Sequence, residues 1–303
     1  MAEIVHLNGR VIPRAEAALS PFDHGFLYGY GLFETMRAYG GHIFRLDRHL
    51  ARLRRSARSL GLAHGVVGAL EASGGEDPLE AACLETLEAN RLSDARIRLT
   101  VSAGEGDMTP DTTACSGPTI LVTTRPLVPP SPEEYRAGFQ AVQSSVRRNS
   151  LSPLSRLKST CYLENLLARA EARAAGCDEA IMLNEQGHLA EGSTTNLFLV
   201  EESLAESGQA RVLVTPSLES GVLPGITREA VLEIAGAMNI ETAERAVELS
   251  ELLEAGEAFL TNSIVEIMPL TRFDGRPIGT GKPGPVTETL LAAYRKLVKE
   301  ETR

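Results

Sequence analysis

A chain of 303 residues is long enough for two domains, each with a core of its own. Apolar residues make up 43% and charged residues 23%, the balance of an ordinary globular protein. The net charge of −10 argues against nucleic acid as the main partner, and no apolar run reaches the roughly 18 residues of a membrane span.

Residues 3–7 and 11–12 flank Asn8-Gly9, a pair suited to the positive φ angles of a tight hairpin turn. A second predicted hairpin pairs 32–39 with 42–45 around Gly40-Gly41. Asp47 is placed to cap a helix over about 48–60 that Gly61 ends, with Leu50, Leu53, Ala57 and Leu60 on its apolar face. A helix over 79–88 leads to strands over 95–102 and 119–124. Residues 126–132 then hold four prolines, a composition that continues neither a helix nor a central strand, so 125–135 reads as an interdomain linker. Beyond it come a strand over 139–146, a helix over 162–175 stopped by Gly176, and a strand over 179–183. A turn at 184–187 precedes strands over 189–191 and 196–200, and 201–209 reads as a polar surface loop. A strand over 211–215, a helix from Ile226, a strand over 258–261 and a last helix over 286–299 complete the chain. The alternation predicts two α/β (α+β) domains, a small N-terminal one over 1–124 and a larger C-terminal one over 136–303.

The first residues, Met1-Ala2-Glu3-Ile4-Val5-His6, have neither the basic nor the apolar region of a secretion signal. Cys83, Cys115, Cys161 and Cys177 are scattered and form no CxxC pair, which suits a reducing, cytoplasmic setting. The six histidines show no metal-ligand spacing, and no metal is expected. His6, His24, His42, His64 and His188 have no partner evident from sequence. Gly279-Thr280-Gly281-Lys282-Pro283-Gly284 lacks the Ser or Thr that a nucleotide-binding loop carries after its lysine.

Some residues carry a chemical suggestion of their own. Lys158 stands just before the helical pattern that starts at Tyr162. A lysine at a helix N-terminus opposes the macrodipole, which lowers its pKa toward the partly neutral amine that a Schiff base needs. Read alone, it is equally a solvated surface group. Ile226 and Thr227 open a helix after Pro224-Gly225, and such a helix end suits an anion or is an ordinary start. His49 and Arg52, three apart, share a helix face.

Three segments resolve these alternatives by their likeness to a known family. Arg156-Leu157-Lys158-Ser159, Glu191-Gly192-Ser193-Thr194-Thr195-Asn196-Leu197-Phe198 and Leu223-Pro224-Gly225-Ile226-Thr227-Arg228, in this order, resemble the class IV (fold type IV) pyridoxal 5'-phosphate (PLP) enzymes. That family holds branched-chain and D-amino-acid aminotransferases and aminodeoxychorismate lyase. The resemblance covers nearly the whole chain and implies a two-domain, PLP-binding fold. It makes Lys158 the Schiff-base lysine and proton shuttle, and Glu191 the acid that keeps the cofactor's pyridine nitrogen protonated so that the ring accepts electrons. Thr194 and Thr195 would offer hydrogen bonds to the cofactor, and Ile226 and Thr227 would cradle its phosphate. Arg52, in His49-Leu50-Ala51-Arg52-Leu53, would pair with that phosphate, as Arg does through a bidentate fork, and Ser263 would touch it. Tyr162 is either a donor to the ring oxygen or a tyrosine packed on its helix.

On the substrate side, the resemblance matches Tyr28 and Phe33 to pocket positions and Arg98 to a carboxylate-binding arginine, with Arg37 as the alternative. The Arg and His that D-amino-acid aminotransferases carry after this strand are missing, since 102–107 reads Ser-Ala-Gly-Glu-Gly-Asp. The implied reaction is amino transfer between an amino acid (or amine) and a 2-oxo acid through Lys158. The alternative is the lyase reaction that yields 4-aminobenzoate and pyruvate for folate synthesis. The segment 20–29, the 156–159 segment and Thr261-Asn262-Ser263 look like those of Gram-positive members assigned to it. The family also implies a homodimer with the active site at the interface, and Phe26, Tyr28 and Tyr30 among glycines are aromatics that an interface would cover.

Overall fold

Asn8 and Gly9 take φ angles of 48° and 81°, so the first hairpin forms as expected, β1 (Ile4–Leu7) on β2 (Arg10–Pro13). The computed structural model describes residues 3–62, 77–111, 113, 115–205 and 208–302; His64 lies outside them. Gly40 and Gly41, at 57° and 89°, turn β3 (Gly31–Tyr39) into β4 (His42–Ile43) in the same way. With β5 (Ala95–Ser102) and β6 (Thr119–Pro126) these strands make an antiparallel six-stranded sheet in the order β2-β1-β6-β5-β3-β4. Three of the described helices belong to it: α1 (His24–Tyr28), α2 (Leu46–Ser59) and α3 (Pro78–Ala89). Leu32, Met36 and Ala38 of β3 pack with Leu50, Leu53 and Ala57 of α2 and Leu79, Cys83 and Leu87 of α3 in one core.

Two helix starts differ from the sequence reading. The N-cap of α2 is Arg45 at φ 52°, not Asp47, because the chain leaves β4 through a left-handed residue and Leu46 is already buried. Asp47 sits in the first turn, where its charge still favours the helix dipole. Asp77 caps α3 by accepting from the N–H of Leu79, and Pro78 follows it, where its missing N–H costs nothing.

The chain divides into two compact units. One holds residues up to Val128, Leu157–Cys161 and the last residues from Glu300; the other holds Pro129–Arg156 and Tyr162–Lys299. The second unit begins with α4 (Pro132–Ala137), capped by Ser131 in a reciprocal box with Glu134. The units divide within the proline-rich stretch, at Val128/Pro129, and its last residues start a helix, since Pro is favourable at the first helical position. The second unit is built on a nine-stranded mixed sheet. Its strands are β7 (Phe139–Arg148), β8 (Glu179–Asn184), β9 (Leu189–Gly192), β10 (Asn196–Ala205), β11 (Gly208–Pro216), β12 (Glu241–Arg245), β13 (Glu257–Asn262), β14 (Glu266–Phe273) and β15 (Arg276–Pro277). Their order is β12-β11-β10-β13-β14-β7-β8-β9, with β15 on β14.

The expected surface loop over 201–209 is instead the end of a hairpin. Glu201 pairs with Val212 and the register continues to Ala205 opposite Gly208. Main-chain pairing needs no apolar side chains, so a polar composition did not exclude it. The described helices of this unit are α4, α5 (Leu163–Ala174), α6 (Ile226–Ala237), α7 (Leu249–Glu254) and α8 (Pro285–Glu301), whose last two residues fall in the first unit. The glycine-rich 279–284 stretch leads into α8, whose first N–H groups are taken by Glu257, from Val286 at 3.1 Å and Thr287 at 2.8 Å. Among the described residues no helix is long and apolar enough to cross a membrane.

Candidate active site

In the first unit, the segment carrying Lys158 lies extended beside β3. Phe33 N–H donates to the Lys158 carbonyl and Thr160 N–H to the Gly31 carbonyl, both at 2.9 Å. The following helix, α5, begins only at Leu163 with Tyr162 as its N-cap. The helix-dipole argument for Lys158 therefore fails, and its neighbours are those of the sheet. Its Nζ lies 4.7 Å from the centre of the Phe33 ring, and Arg98 Cζ lies 3.8 Å from the same ring. Arg98 is the register partner of Thr35, and Arg37 that of Arg96, so Phe33, Arg37 and Arg98 share one face of the sheet. Arg37 stacks on Tyr39 at 4.2 Å. This face joins an aromatic ring, an amine and two guanidinium groups, a set suited to a carboxylate-bearing molecule.

The Tyr28 hydroxyl donates to the Met108 carbonyl at 2.5 Å. Its proton is spent on the 103–118 loop, so Tyr28 shapes that loop and is not a free hydroxyl donor to substrate. His24, read as partnerless, has two partners in the same loop. Nε2 donates to the Asp107 carbonyl at 2.8 Å, which leaves Nδ1 to accept from the Cys115 thiol at 3.3 Å. His188 likewise meets Glu248 at 3.0 Å.

The opposite face of β3 carries Glu34, a residue missed in the sequence reading. Arg52 donates to it through Nε at 2.9 Å and Nη2 at 2.5 Å, and His49 Nδ1 lies 2.8 Å away. Burial pushes the Glu34 carboxyl up, but the Arg52 charge and the His49 and Arg52 hydrogen bonds outweigh it and hold the group at about 2. Burial pushes His49 down, and the charges of Arg52 and Lys158 add to that, against the hydrogen bond to Glu34. Arg52 is thus locked to a carboxylate, and any contact it makes with a phosphate is shared with Glu34.

In the second unit Glu191 is the penultimate residue of β9, buried. Its Oε1 lies 3.0 Å from an Arg148 Nη2. Its Oε2 accepts from the N–H of Leu223 at 2.9 Å and from Asn196 Nδ2 at 3.2 Å. Asn196 Nδ2 also donates to the Leu223 carbonyl at 2.9 Å, so Glu191 and the segment leading to α6 are tied twice. A Cβ at Gly225 would overlap Asn196 Oδ1, which is why the N-cap of α6 is glycine. Arg148, the second missed residue, ends a strand of irregular burial with no local sign of its role.

Ile226 and Thr227 are the first two residues of α6, and no side chain caps it. Thr261 of β13, in register with Asn196, buries a hydroxyl with no hydrogen-bond partner among the described residues. An uncapped helix end beside a network that needs donors satisfied is what an anionic group such as a phosphate fits, and the carboxylate of Glu191 fits a protonated ring nitrogen. Ser263 lies in the turn between β13 and β14, where Asn262 Oδ1 accepts from the N–H groups of Ile264 and Val265 at 2.8 and 2.9 Å. The expected contact of the Thr194 and Thr195 hydroxyls with a cofactor is revised. Both donate to Glu179 at 3.1 Å, which leaves them acceptors for anything further. The Tyr162 hydroxyl donates to the Ser193 carbonyl at 3.2 Å.

The family model of amino-transferase class IV matches residues 31–273. The chain belongs to the class IV aminotransferases. It is similar to aminodeoxychorismate lyase of Bacillus subtilis, 36% identical over 98% of this chain and 95% of that protein. It is similar also to D-alanine aminotransferase of Bacillus licheniformis, 30% identical over 98% of each. Among solved structures, the branched-chain aminotransferase of Escherichia coli matches at a TM-score of 0.87 and 30% identity, covering 100% of this chain and 97% of that one. The T.th. branched-chain amino acid aminotransferase matches at a TM-score of 0.85 and 30% identity, over 100% of this chain and 96% of that one. That enzyme is complexed with N-(5'-phosphopyridoxyl)-L-glutamate. This class IV aminotransferase is an enzyme of mixed α/β fold, and its cofactor is PLP.

Proposed function

We propose that the enzyme transfers an amino group between an amino acid and a 2-oxo acid, with Lys158 as the amine that holds the cofactor and carries the proton. The observation that supports this most is the link between Glu191 and α6. The group for a ring nitrogen and the donors for a phosphate are joined by Leu223 and Asn196. When bound, PLP supplies an electron sink for the carbanion left by proton removal. Glu191, moored by Arg148, holds the proton on the ring nitrogen. The N–H groups of Ile226 and Thr227 orient the phosphate, with Arg52 and Ser263 as further partners. Arg98 and Arg37, beside Phe33, pair with a substrate carboxylate. The two compact units then correspond to the small and large domains of the family.

The 36% identity to a lyase favours a second reading, release of 4-aminobenzoate and pyruvate from aminodeoxychorismate by the same residues. A panel of amino donors and 2-oxo acids, run beside an aminodeoxychorismate assay, separates the two. Keto-acid-dependent turnover supports the first; 4-aminobenzoate release without it replaces the first by the second.

The same reading includes a cytoplasmic homodimer. Leu163, Leu166 and Leu167 stand 67%, 59% and 52% exposed on one face of α5, an apolar stripe that association would cover. None of the four cysteines is in a disulfide, in keeping with a reducing compartment. Sedimentation at low protein concentration tests the dimer, and a fully active monomer sinks it.

A further inference from the structure

Glu179 is the first residue of β8 and is 1% exposed. Six hydrogen bonds end on its carboxylate. Oε1 accepts from the N–H of Ala180 at 3.0 Å, from the N–H of Ser193 at 3.1 Å and from the Ser193 hydroxyl. Oε2 accepts from the N–H of Thr194 at 3.3 Å and from the hydroxyls of Thr194 and Thr195 at 3.1 Å. Arg169 Nη1, 3.6 Å from Oε1, supplies a compensating charge. All but one of these donors belong to three consecutive residues, 193–195.

Only a carboxylate takes such a load. It accepts at about four lone-pair sites and donates nothing, whereas an amide turns its nitrogen toward at least one backbone N–H, which cannot accept, since Ala180 and Ser193 face one oxygen and Thr194 the other. Nothing else in the turn replaces it. A Cβ at Gly192 would overlap the Thr195 hydroxyl, so the chain closes tightly there. The carbonyl side of the turn is fastened separately, Ser193 O by Asn165 Nδ2 at 2.9 Å and Thr194 O by Asn262 Nδ2 at 3.2 Å. Asn262 in turn organises the 262–265 turn that carries Ser263. The 193–195 turn thus stands in the chain between Glu191 and Asn196, and in space between β8 and the Ser263 turn.

We propose that Glu179 is a positioning residue: its carboxylate sets the 193–195 turn, and through that turn it aims Glu191 and Asn196 and places the Ser263 turn. The proposal rests on the reading of Glu191 given above. Glu179 touches neither substrate nor cofactor; it acts through the three residues it gathers.

The test compares Glu179→Gln, Thr195→Val, their double variant and Glu191→Gln in the full-length protein. PLP is titrated into each apo-protein and followed by visible absorbance, and kcat and KM are measured with the best substrate pair. A folded Glu179→Gln protein is expected to show a displaced visible band and a kcat about 100-fold lower, with KM little changed, as a misplacement of about 1 Å produces. Thr195→Val removes one donor and gives a smaller loss. In the double variant it adds nothing, because that hydroxyl has already lost its acceptor. A wild-type band and kcat in folded Glu179→Gln, or losses that add fully, overturn the proposal. Should Glu179→Gln not fold, Thr195→Val decides alone: a displaced band supports the role and wild-type behaviour ends it. If wild type gains no visible band from PLP, or Glu191→Gln keeps full kcat, the reading of Glu191 fails, and the Glu179 proposal falls with it.

Discussion

Each unit buries a carboxylate against an arginine, and the two are held differently. Glu34 is enclosed by the Arg52 guanidinium, which forks both of its oxygens, and by the His49 ring, both from one helix. Glu191 meets Arg148 through one oxygen, while an amide and a backbone N–H hold the other. In the Glu34 cluster one guanidinium faces both oxygens, which suits a fixed structural joint. At Glu191 the Leu223 and Asn196 groups orient one oxygen without adding a full charge to it. A carboxylate held in this way meets its arginine through one oxygen, whereas one forked by a guanidinium has both oxygens taken by the same charge. Burial alone therefore does not separate a reacting carboxylate from a fastening one; the way the arginine occupies its two oxygens does.

The largest expected effect lies with the amine. Lys158→Ala should reduce turnover by on the order of 10⁴-fold or more and remove any borohydride-reducible PLP linkage, since a lost nucleophile is not replaced by its surroundings. Retention of a reducible adduct on the variant would refute the assignment. The same substitution sharpens the comparison, because Lys158 is one of the charges that hold His49 down. The His49 ring should therefore titrate at higher pH in the variant, as proton NMR would report.

A smaller effect is expected from Glu191→Gln. It removes the charge but keeps the shape and one acceptor oxygen for Leu223 and Asn196. The rate should fall by about 100-fold, in the range seen when one preorganised electrostatic partner is lost. PLP occupancy should change far less, because α6 is untouched. Near-normal single-turnover kinetics would place Glu191 with Glu34 as a fastening group.

How much of this was legible depends on how far apart the partners lie. Asn8-Gly9 and Gly40-Gly41 announce their turns because the required φ is local. His49 and Arg52 announce a shared face because helix spacing is local as well. Glu34 could have been found the same way. Strand alternation puts it on the core face with Leu32, Met36 and Ala38, and a buried acid asks for the cations that the facing helix supplies. Arg148 and Glu179 gave no such sign. Their partners are strands and turns brought near by a mixed sheet whose order follows no local pattern. The tie of the Thr194 and Thr195 hydroxyls to Glu179 was hidden for the same reason, since Glu179 precedes them by two strands and a turn. Lys158 was recognised from its family segment, while the physical reason first offered, a helix N-terminus, is absent.

The smallest effect separates the two carboxylates by pH. Burial pushes His49 below its ordinary value of 6.5, so between that value and its folded value the unfolded chain binds a proton that the folded chain does not. Stability from this source is present above 6.5 and is lost as pH falls, by at most about 1.4 kcal/mol per unit. Glu34, held at about 2 against an ordinary 4.5, contributes stability that is present above 4.5 and lost as pH falls toward 2. The first unit should therefore weaken in two stages on acidification. His49→Gln, whose amide can still donate to Glu34, should remove most of the first stage and spare the second. His6, also pushed down by burial, supplies what remains of the first. Denaturant midpoints of wild type and His49→Gln measured from pH 8 to pH 2 provide the check. Parallel curves through the upper stage would mean that His49 does not sense pH within the Glu34 joint, and that Arg52 alone saturates it.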